Sequence, residues 1–461
     1  MQLVWRIYAV VYLVFFVAGW NPALHDVAHL SPINMIDMVG IGPFVVMPLV
    51  IRIMGNNLFL WAWVFGAITA LMDGMIWSEL GAMYPAAGGS YNFLREAYGK
   101  KWGRMMSFLF VWQTCLQAPL VVASASIGFS QYFCYLVPLN PLQRKLVSGA
   151  VVLLVIFLLY RKIETIGKIS VLLWTGVITI ILWIIVSGFT HSQVAYSCLP
   201  GPHDSFSGIG FSLLLGQASV KTIYSYLGYY NVCHLGGEIR NPSRNIPLSI
   251  FISIFGIAIL YLCMNVSIVS VIPWQEAVKS DFIVSSFMER IYGTRAAMLA
   301  TVLVLWIAFA SLFAIVLGYS RIPFAAAADG SFFPVFARLH PTKGFPHISL
   351  LFIGGVGFLF SFMFKLTDVI SAILAMRILV QFVAQAIGVV LLRRRNGTEN
   401  LPFKMWLYPL PVLFSVMIWL FVFYSTGRVA VLGLLLAIGG VLVFYLTRNL
   451  WKGPDMGLVS R

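Results

Sequence analysis

MVGIGPFVVMP, residues 38–48, lies inside a run from Ile33 to Met54 that is otherwise apolar enough to cross a bilayer. Two glycines and a proline sit at its centre. In a helix interior Gly and Pro cost about 1 and about 3 kcal/mol relative to Ala. Backbone N–H and C=O groups cannot stay unpaired in lipid, so irregular backbone survives there only when buried in protein or lining a watery cavity. Two readings follow. The stretch is a kinked helix, since Gly and Pro are frequent in membrane spans. Or it is unwound and faces a site, with Gly40 and Gly42 letting a ligand approach the backbone and Pro43 unable to donate to the helix ladder. A second interruption, IYSYLGYYNVC at 223–233, places Gly228 among tyrosines in another apolar run. Five predicted spans separate the starts of the two. Broken helices at matching positions of two halves point to an inverted-repeat carrier with its site between the breaks. An odd number of spans per repeat inverts the second copy.

The rest of the chain demands a bilayer. Of its 461 residues 60% are hydrophobic and 10% charged, with mean hydropathy +0.92; soluble chains carry about 25% charged residues. At roughly 20 apolar residues per span, twelve are predicted: 33–54, 58–80, 103–136, 143–160, 166–188, 208–232, 247–271, 297–321, 346–364, 367–392, 405–424 and 429–447. The third is too long for one crossing and is expected to begin as an interfacial helix. Residues 1–20 hold a short apolar core without an A-x-A-like cleavage site, which reads as an interfacial helix or the product of an early start codon rather than a thirteenth span. With the start of span one placed inside, nineteen Lys and Arg fall in inside loops and tail and eight outside, so the positive-inside rule puts that start and the C-terminus in the cytoplasm. The net charge of +15 is then a topology signal with an attraction to anionic lipid. No basic block sits on a soluble domain, which argues against a nucleic-acid partner. The five cysteines match no zinc or redox spacing; Cys134 and Cys198 fall near one face and either pair or remain free as small apolar residues.

Ionisable residues inside spans are functional by default. Arg377, Gln381 and Gln385 recur every four residues, sharing one helix face that should look inward. Asp37 lies one turn before the first break and Asp73 in span two. Bases thus precede the site and acids follow it, as in a vestibule drawing anionic groups inward, with the acids on an exit route or proton relay. Lys221 reads as snorkelling outward. Glu79, Glu238, Arg240, Arg244, Arg321 and Asp329 gather at the inner ends of spans two, six and eight, either as solvated loop charges or as an inner gate of ion pairs.

Four stretches in order carry a resemblance: Gly40, Gly42, Phe44 and Pro48 in the first break; SELGAMYPAAGGSYNFLREAYG, 78–99; YLGYYNVCHLGGEIRNPSRNIP, 226–247; and SRIPFAAAADGSFFPVFARLHP, 320–341. The chain resembles the amino acid–polyamine–organocation transporter family, with its leucine-transporter-like fold. The resemblance implies an all-α membrane protein of twelve transmembrane helices: a 5+5 inverted repeat, broken helices 1 and 6, and two additional C-terminal helices. Residues 1–32 form an N-terminal segment, 33–392 the transport core in halves 33–188 and 208–392, and 393–461 helices 11–12 with a cytoplasmic tail.

The same resemblance implies alternating-access transport of an amino acid in the plasma membrane. The substrate carboxylate meets N–H groups around Val39, Gly40, Ile41 and Gly42, and its amine meets carbonyls of both breaks, with Tyr226, Leu227, Gly228 and Tyr229 on the second. Helix N-termini favour anions and C-termini cations, which agrees. Pro43 removes one donor from that cradle. Asp37, Glu238 and Arg377 are the gating or charge-relay candidates. Span five lacks the lysine that some proton-coupled relatives carry. Ser311 is a packing residue or a sodium ligand. No cofactor or metal is expected, and a coupling ion, if used, is H+ before Na+. A polyamine carrier is the alternative, disfavoured by bases on the outer side. A membrane enzyme lacks H-E-x-x-H, G-x-S-x-G or a clustered His/Asp set, and a channel lacks filter-like repeats.

Overall fold

A computed structural model describes residues 31, 34–55, 58–86, 88–160, 163–192, 208–234, 236–399 and 401–447. The expectations for residues 1–20, the Cys134–Cys198 pair and the tail from 448 onward lie outside the described residues. Every regular element among them is helical. The helices are α1 (34–38), α2 (Gly42–Met54), α3 (Phe59–Met83), α4 (Ser90–Leu136), α5 (Pro141–Leu159), α6 (Ile163–Thr190), α7 (Gly208–Tyr226), α8 (Asn231–His234), α9 (Pro242–Val269), α10 (Trp274–Ala277), α11 (Ile283–Tyr292), α12 (Thr294–Ala328), α13 (His347–Met363), α14 (Leu366–Arg377), α15 (Ala384–Asn396), α16 (Leu410–Ser425) and α17 (Val429–Thr447). Seven of these runs are long and apolar enough to cross a membrane, counting Leu366–Asn396 as one, and four shorter ones are apolar.

Apolar side chains lie both inside and outside. Leu432, Leu435, Ile438 and Leu442 on α17 are each more than half exposed, as expected of a surface solvated by lipid tails. Inside, association relies on close packing and hydrogen bonds, because lipid is as apolar as leucine. Small residues make the contacts: a Cβ at Gly74 would come within 2.6 Å of Ile254 on α9, and one at Gly128 within 2.6 Å of Ile41. Buried hydroxyls return to their own helix, as Thr69 does to the Phe65 carbonyl and Thr114 to that of Phe110.

The long third span is kinked. Gly99, with φ +62°, interrupts α4 after its first nine residues, so a short helix enters at an angle before the crossing begins. The helix of span eight runs seven residues past its expected end, to Ala328, and Pro323 lies inside it. The tenth span departs most from its prediction. Between α14 and α15, Ile378–Val383 form a π-helical turn, a feature frequent at functional sites. It widens the helix just after Arg377, so the α-helical four-residue spacing does not hold Arg377, Gln381 and Gln385 in one strict row. All three are nonetheless buried at 1% exposure.

The inner-end charges pair differently from the expected gate. Glu79 accepts two bonds from Arg393, one from Nε at 2.6 Å, and a third from the Met405 N–H at 2.8 Å. Asp329 pairs with Arg95 and accepts from the Tyr91 hydroxyl. The Glu238 side chain lies outside the described ones. The Lys221 ammonium donates to the Ser371 hydroxyl at 3.1 Å and lies 3.4 Å from the Thr367 carbonyl, both in the first turns of α14.

The Glu79–Arg393 pair ties α3 to α15, with side chains 0% and 8% exposed. Glu79→Leu leaves a buried guanidinium unpaired and is expected to cost about 3–5 kcal/mol, while the double variant Glu79→Leu/Arg393→Met recovers most of it. Thermal unfolding in detergent, followed by size-exclusion recovery, checks both; a double variant no more stable than Glu79→Leu refutes the pairing as the cause.

Candidate functional site

The helix stops at Met38, and residues 39–41 are irregular before α2 starts at Gly42. Ile41 is the N-cap and offers no side-chain cap, with proline in the first turn. The Gly42 N–H therefore has no intrahelical acceptor, Pro43 carries no N–H, and the Phe44 N–H turns back to the Ile41 carbonyl at 3.2 Å. In the second interruption, residues 227–230 form a turn between α7 and α8. Gly228 has φ +121°, and a Cβ there would lie 2.7 Å from Asp37 Oδ2 and 2.9 Å from the Met38 nitrogen. Only glycine tolerates both that φ and that approach. The two breaks are thus side by side.

Three side chains fasten them. The Tyr261 hydroxyl on α9 donates to the Met38 carbonyl at 2.7 Å and lies 3.1 Å from the Ser225 carbonyl. The Val232 N–H donates to Asn34 Oδ1 at 2.8 Å. Asn231 hydrogen-bonds the Asp37 carboxylate. Trp63, Tyr226 and Tyr261 pack edge to face behind the junction, with centroids 5.3 to 6.2 Å apart.

A cavity of about 40 Å³ opens where the breaks meet. Gly40, Ile41, Gly42 and Leu227 line it, as do Asp37 and Arg377. Val39, Tyr226, Gly228 and Tyr229 do not reach it. Val39 is fully buried, Tyr226 packs on Trp63 and Tyr261, and the Tyr229 hydroxyl donates to Asp73 at 2.6 Å. Asp73 sits off the cavity, where Trp77, Ser415 and Trp419 also donate to it at 2.7 to 3.2 Å. Four donors make it an anchor for the second break rather than a group on an exit route.

Sequence reasoning did not find the aromatic wall. Tyr224, Tyr230 and Tyr319 also line the cavity. Arg377 donates to the hydroxyls of Tyr230 and Tyr319, with its guanidinium 5.3 and 5.5 Å from the two ring centroids. The Tyr224 hydroxyl bonds that of Ser124 at 2.7 Å. The signal available was the crowding of tyrosines around Gly228; their direction was not. Among the described residues, neither Asp37 nor Arg377 forms an ion pair within 4 Å. Arg377 Nε and the Ser225 hydroxyl have no hydrogen-bond partner. The cavity therefore presents an acid, a base and the start of a helix, all able to take further hydrogen bonds. That set complements a small solute carrying both an amine and a carboxylate. Ser311 lies beside Gly40, whose added Cβ would meet its hydroxyl at 2.8 Å.

Comparison with known proteins agrees with this chemistry. A family model described as amino acid permease matches residues 32–444. The chain is 25% identical over 418 residues to the serine/threonine exchanger SteT of Bacillus subtilis (strain 168), covering 88% of this chain and 93% of that one. It is 26% identical over 424 residues to the cystine/glutamate transporter of Homo sapiens, covering 89% and 82%. It is 25% identical over 416 residues to the aspartate-proton symporter of Bacillus subtilis (strain 168), covering 84% and 75%.

Tyr261→Phe removes the hydroxyl between the two breaks and is expected to cost about 1–3 kcal/mol, the penalty of leaving a buried acceptor unmet. Hydrogen–deuterium exchange should rise selectively in 38–45 and 225–234. Unchanged exchange in both segments would show that Tyr261 does not hold them.

Proposed function

Since the chain belongs to the amino acid permease family, we propose that it carries amino acids by alternating access, with the substrate seated between the two breaks. The observation that carries this reading is the meeting of the breaks at a cavity holding both an unpaired acid and an unpaired base. The substrate carboxylate takes the N–H groups of Ile41 and Gly42, with Val39 and Gly40 supplying the flexible backbone. The amine takes Asp37 and the remaining lone pairs of the Met38 carbonyl and its neighbours. On the second break Leu227 forms the wall, Gly228 allows the contact, and Tyr226 and Tyr229 fix its ends. Arg377 and Glu238 serve as gating or charge-relay groups.

The proposed architecture has twelve spans in a 5+5 inverted repeat followed by two further helices, with the start of span one and the C-terminus in the cytoplasm. The named activities of the relatives span hydroxylated, acidic and sulfur-containing amino acids, so the substrate is proposed at the level of the amino acid group itself. Arg377 in the wall disfavours a polycation, which keeps a polyamine second. Coupling to H+ is proposed ahead of Na+.

Purified protein in liposomes, offered labelled serine, threonine, glutamate, aspartate, leucine and arginine with and without pH and sodium gradients, is expected to accumulate at least one of them. Uptake of putrescine alone would overturn the reading. Gly42→Val places methyls where Tyr224 and Ser225 stand at 3.2 Å and blocks the carboxylate. Losing one charge-assisted bond, about 1.5–3 kcal/mol, lowers affinity about 10- to 150-fold. Gly355→Val on α13, where an added Cβ meets nothing within 4 Å, is expected to bind as wild type. Equal affinity in wild type and folded Gly42→Val would reduce the first break to a kink.

A further inference from the structure

Beyond the cavity, toward the basic end of span ten at Arg393–Arg395, come four buried glutamines that neither line the cavity nor anchor a break. On α4, Val121 and Ala125 line the cavity. Gln117 lies one turn before Val121 and Gln113 two turns before it. The spacing of four keeps them on neighbouring positions of one face, and α4 is regular through this stretch, its interruption lying at Gly99. On span ten, Ile373 and Arg377 line the cavity. Gln381 follows in the π turn and Gln385 in α15. α4 packs against α14, the π turn and α15. Its early end meets Gln385 and the Ala384 carbonyl through Ser90 and Tyr98. The two sets therefore leave the cavity in the same direction on packed helices.

Gln113, Gln117, Gln381 and Gln385 are each at most 2% exposed. Neither polar side-chain atom of the first three has a hydrogen-bond partner, and Gln385 uses its oxygen alone, for the Ser90 hydroxyl at 2.6 Å. The hydroxyls of the same helix behave differently: Thr114 donates to the Phe110 carbonyl and Ser124 to that of Val121, each at 2.7 Å. A buried amide with both ends unmet is unfavourable, and an apolar side chain of the same shape would be better tolerated. An amide has two N–H donors, a carbonyl acceptor and no charge. It can meet a carboxylate at one end and an ammonium at the other without the grip of an ion. A station on a transport route needs that balance, favourable enough for the solute to arrive and weak enough for it to leave.

We propose that Gln113, Gln117 and Gln381 form the inner leg of the transport route, a second binding place for the amino acid between the cavity and the end of the bundle at Arg393–Arg395. The inference rests on the permease reading for the solute that passes, and not for the existence of a hydrated path. As the solute leaves Asp37 and Arg377, its carboxylate takes amide N–H groups and its ammonium takes amide oxygens, so neither charge crosses the bundle bare. Uncharged hosts suit this task, because hydrogen bonds between two charged partners are the strong ones and would hold the solute in place. The far end is shut in this structure, where the Tyr98 hydroxyl donates to the Ala384 carbonyl at 2.9 Å and Ser90 holds Gln385. Opening that end frees the Gln385 oxygen for the same path.

The test uses the full chain. In liposomes, counterflow of whichever of the six labelled amino acids wild type carries is expected to fall about tenfold in Gln117→Met and in Gln381→Met, one hydrogen bond to a charged group being lost in each. Affinity by scintillation proximity, which reads the cavity, should stay at the wild-type value. Gln117→Asn, which keeps the amide, should retain more of the rate than Gln117→Met. A purely structural glutamine gives the opposite split: its replacement by Met raises the melting temperature and leaves counterflow unchanged, and that result overturns the proposal. Independently, Gln381→Cys in nanodiscs is expected to react with a water-soluble methanethiosulfonate, faster when the carried amino acid is added, while Ile353→Cys on α13, also buried, stays unmodified. An unreactive Gln381→Cys overturns the hydrated path. Reaction there with wild-type counterflow in both Met variants means water without a station for the solute, and overturns the binding place. If none of the six amino acids is carried, the permease reading falls; reaction at Gln381→Cys then still supports the path, and its absence removes that too.

Discussion

The structure depends on the contact between two stretches of chain that have given up their helices. Gly228 and the Asp37–Met38 backbone approach too closely for any side chain to come between them. One phenol, Tyr261, serves a carbonyl from each. Unpaired carbonyls in a bilayer are expensive, so the two breaks stabilise each other's irregular backbone, and the cost of unwinding falls only where both are present. A break in one run without its counterpart would leave its polar backbone facing apolar side chains.

Around this contact buried polar groups divide into two sets. Asp73 with four donors, and Glu79 with Arg393 and the Met405 N–H, have their hydrogen bonds met and join helices far apart in sequence. They act as fasteners, because a buried ion or carboxylate that loses its partner is far less stable. Asp37, Arg377 and Ser225 form another set, with hydrogen-bonding capacity left over. Those three groups line the cavity, where a polar solute would supply the missing partners.

The π turn after Arg377 brings the two sets together. It widens span ten by a fraction of a turn, so that Arg377 reaches Tyr230 and Tyr319 while Gln385 accepts from the Ser90 hydroxyl at 2.6 Å. Phe382 within the turn stacks on Trp419 at 3.9 Å, and Trp419 in turn donates to Asp73. A shift of this turn would be felt both at the cavity and at the anchor of the second break, because rigid aromatic contacts link them.

Composition and periodicity alone determined that the chain is helical and solvated by lipid, because sixty percent apolar residues leave no other solvent. Glycine and proline placement marked both interruptions, since those residues act on the backbone locally and need no partner to be read. Burial of Arg377, Gln381 and Gln385 was also legible, as polar groups in an apolar run must turn from lipid. Pairing was not. Arg393 for Glu79, Arg95 for Asp329, Ser371 for Lys221 and three of the four donors of Asp73 come from segments more than a hundred residues away, while Trp77 lies one turn along the same helix. Nor could spacing reveal which tyrosines near Gly228 face the cavity, because a non-helical turn follows no fixed period. The π turn escaped as well: it packs against α4 and α16, and no glycine or proline within Ile378–Val383 marks it. A sequence states which groups cannot face lipid; only the folded chain decides which of them meet, since that depends on the relative placement of helices whose contacts are long in sequence and short in space.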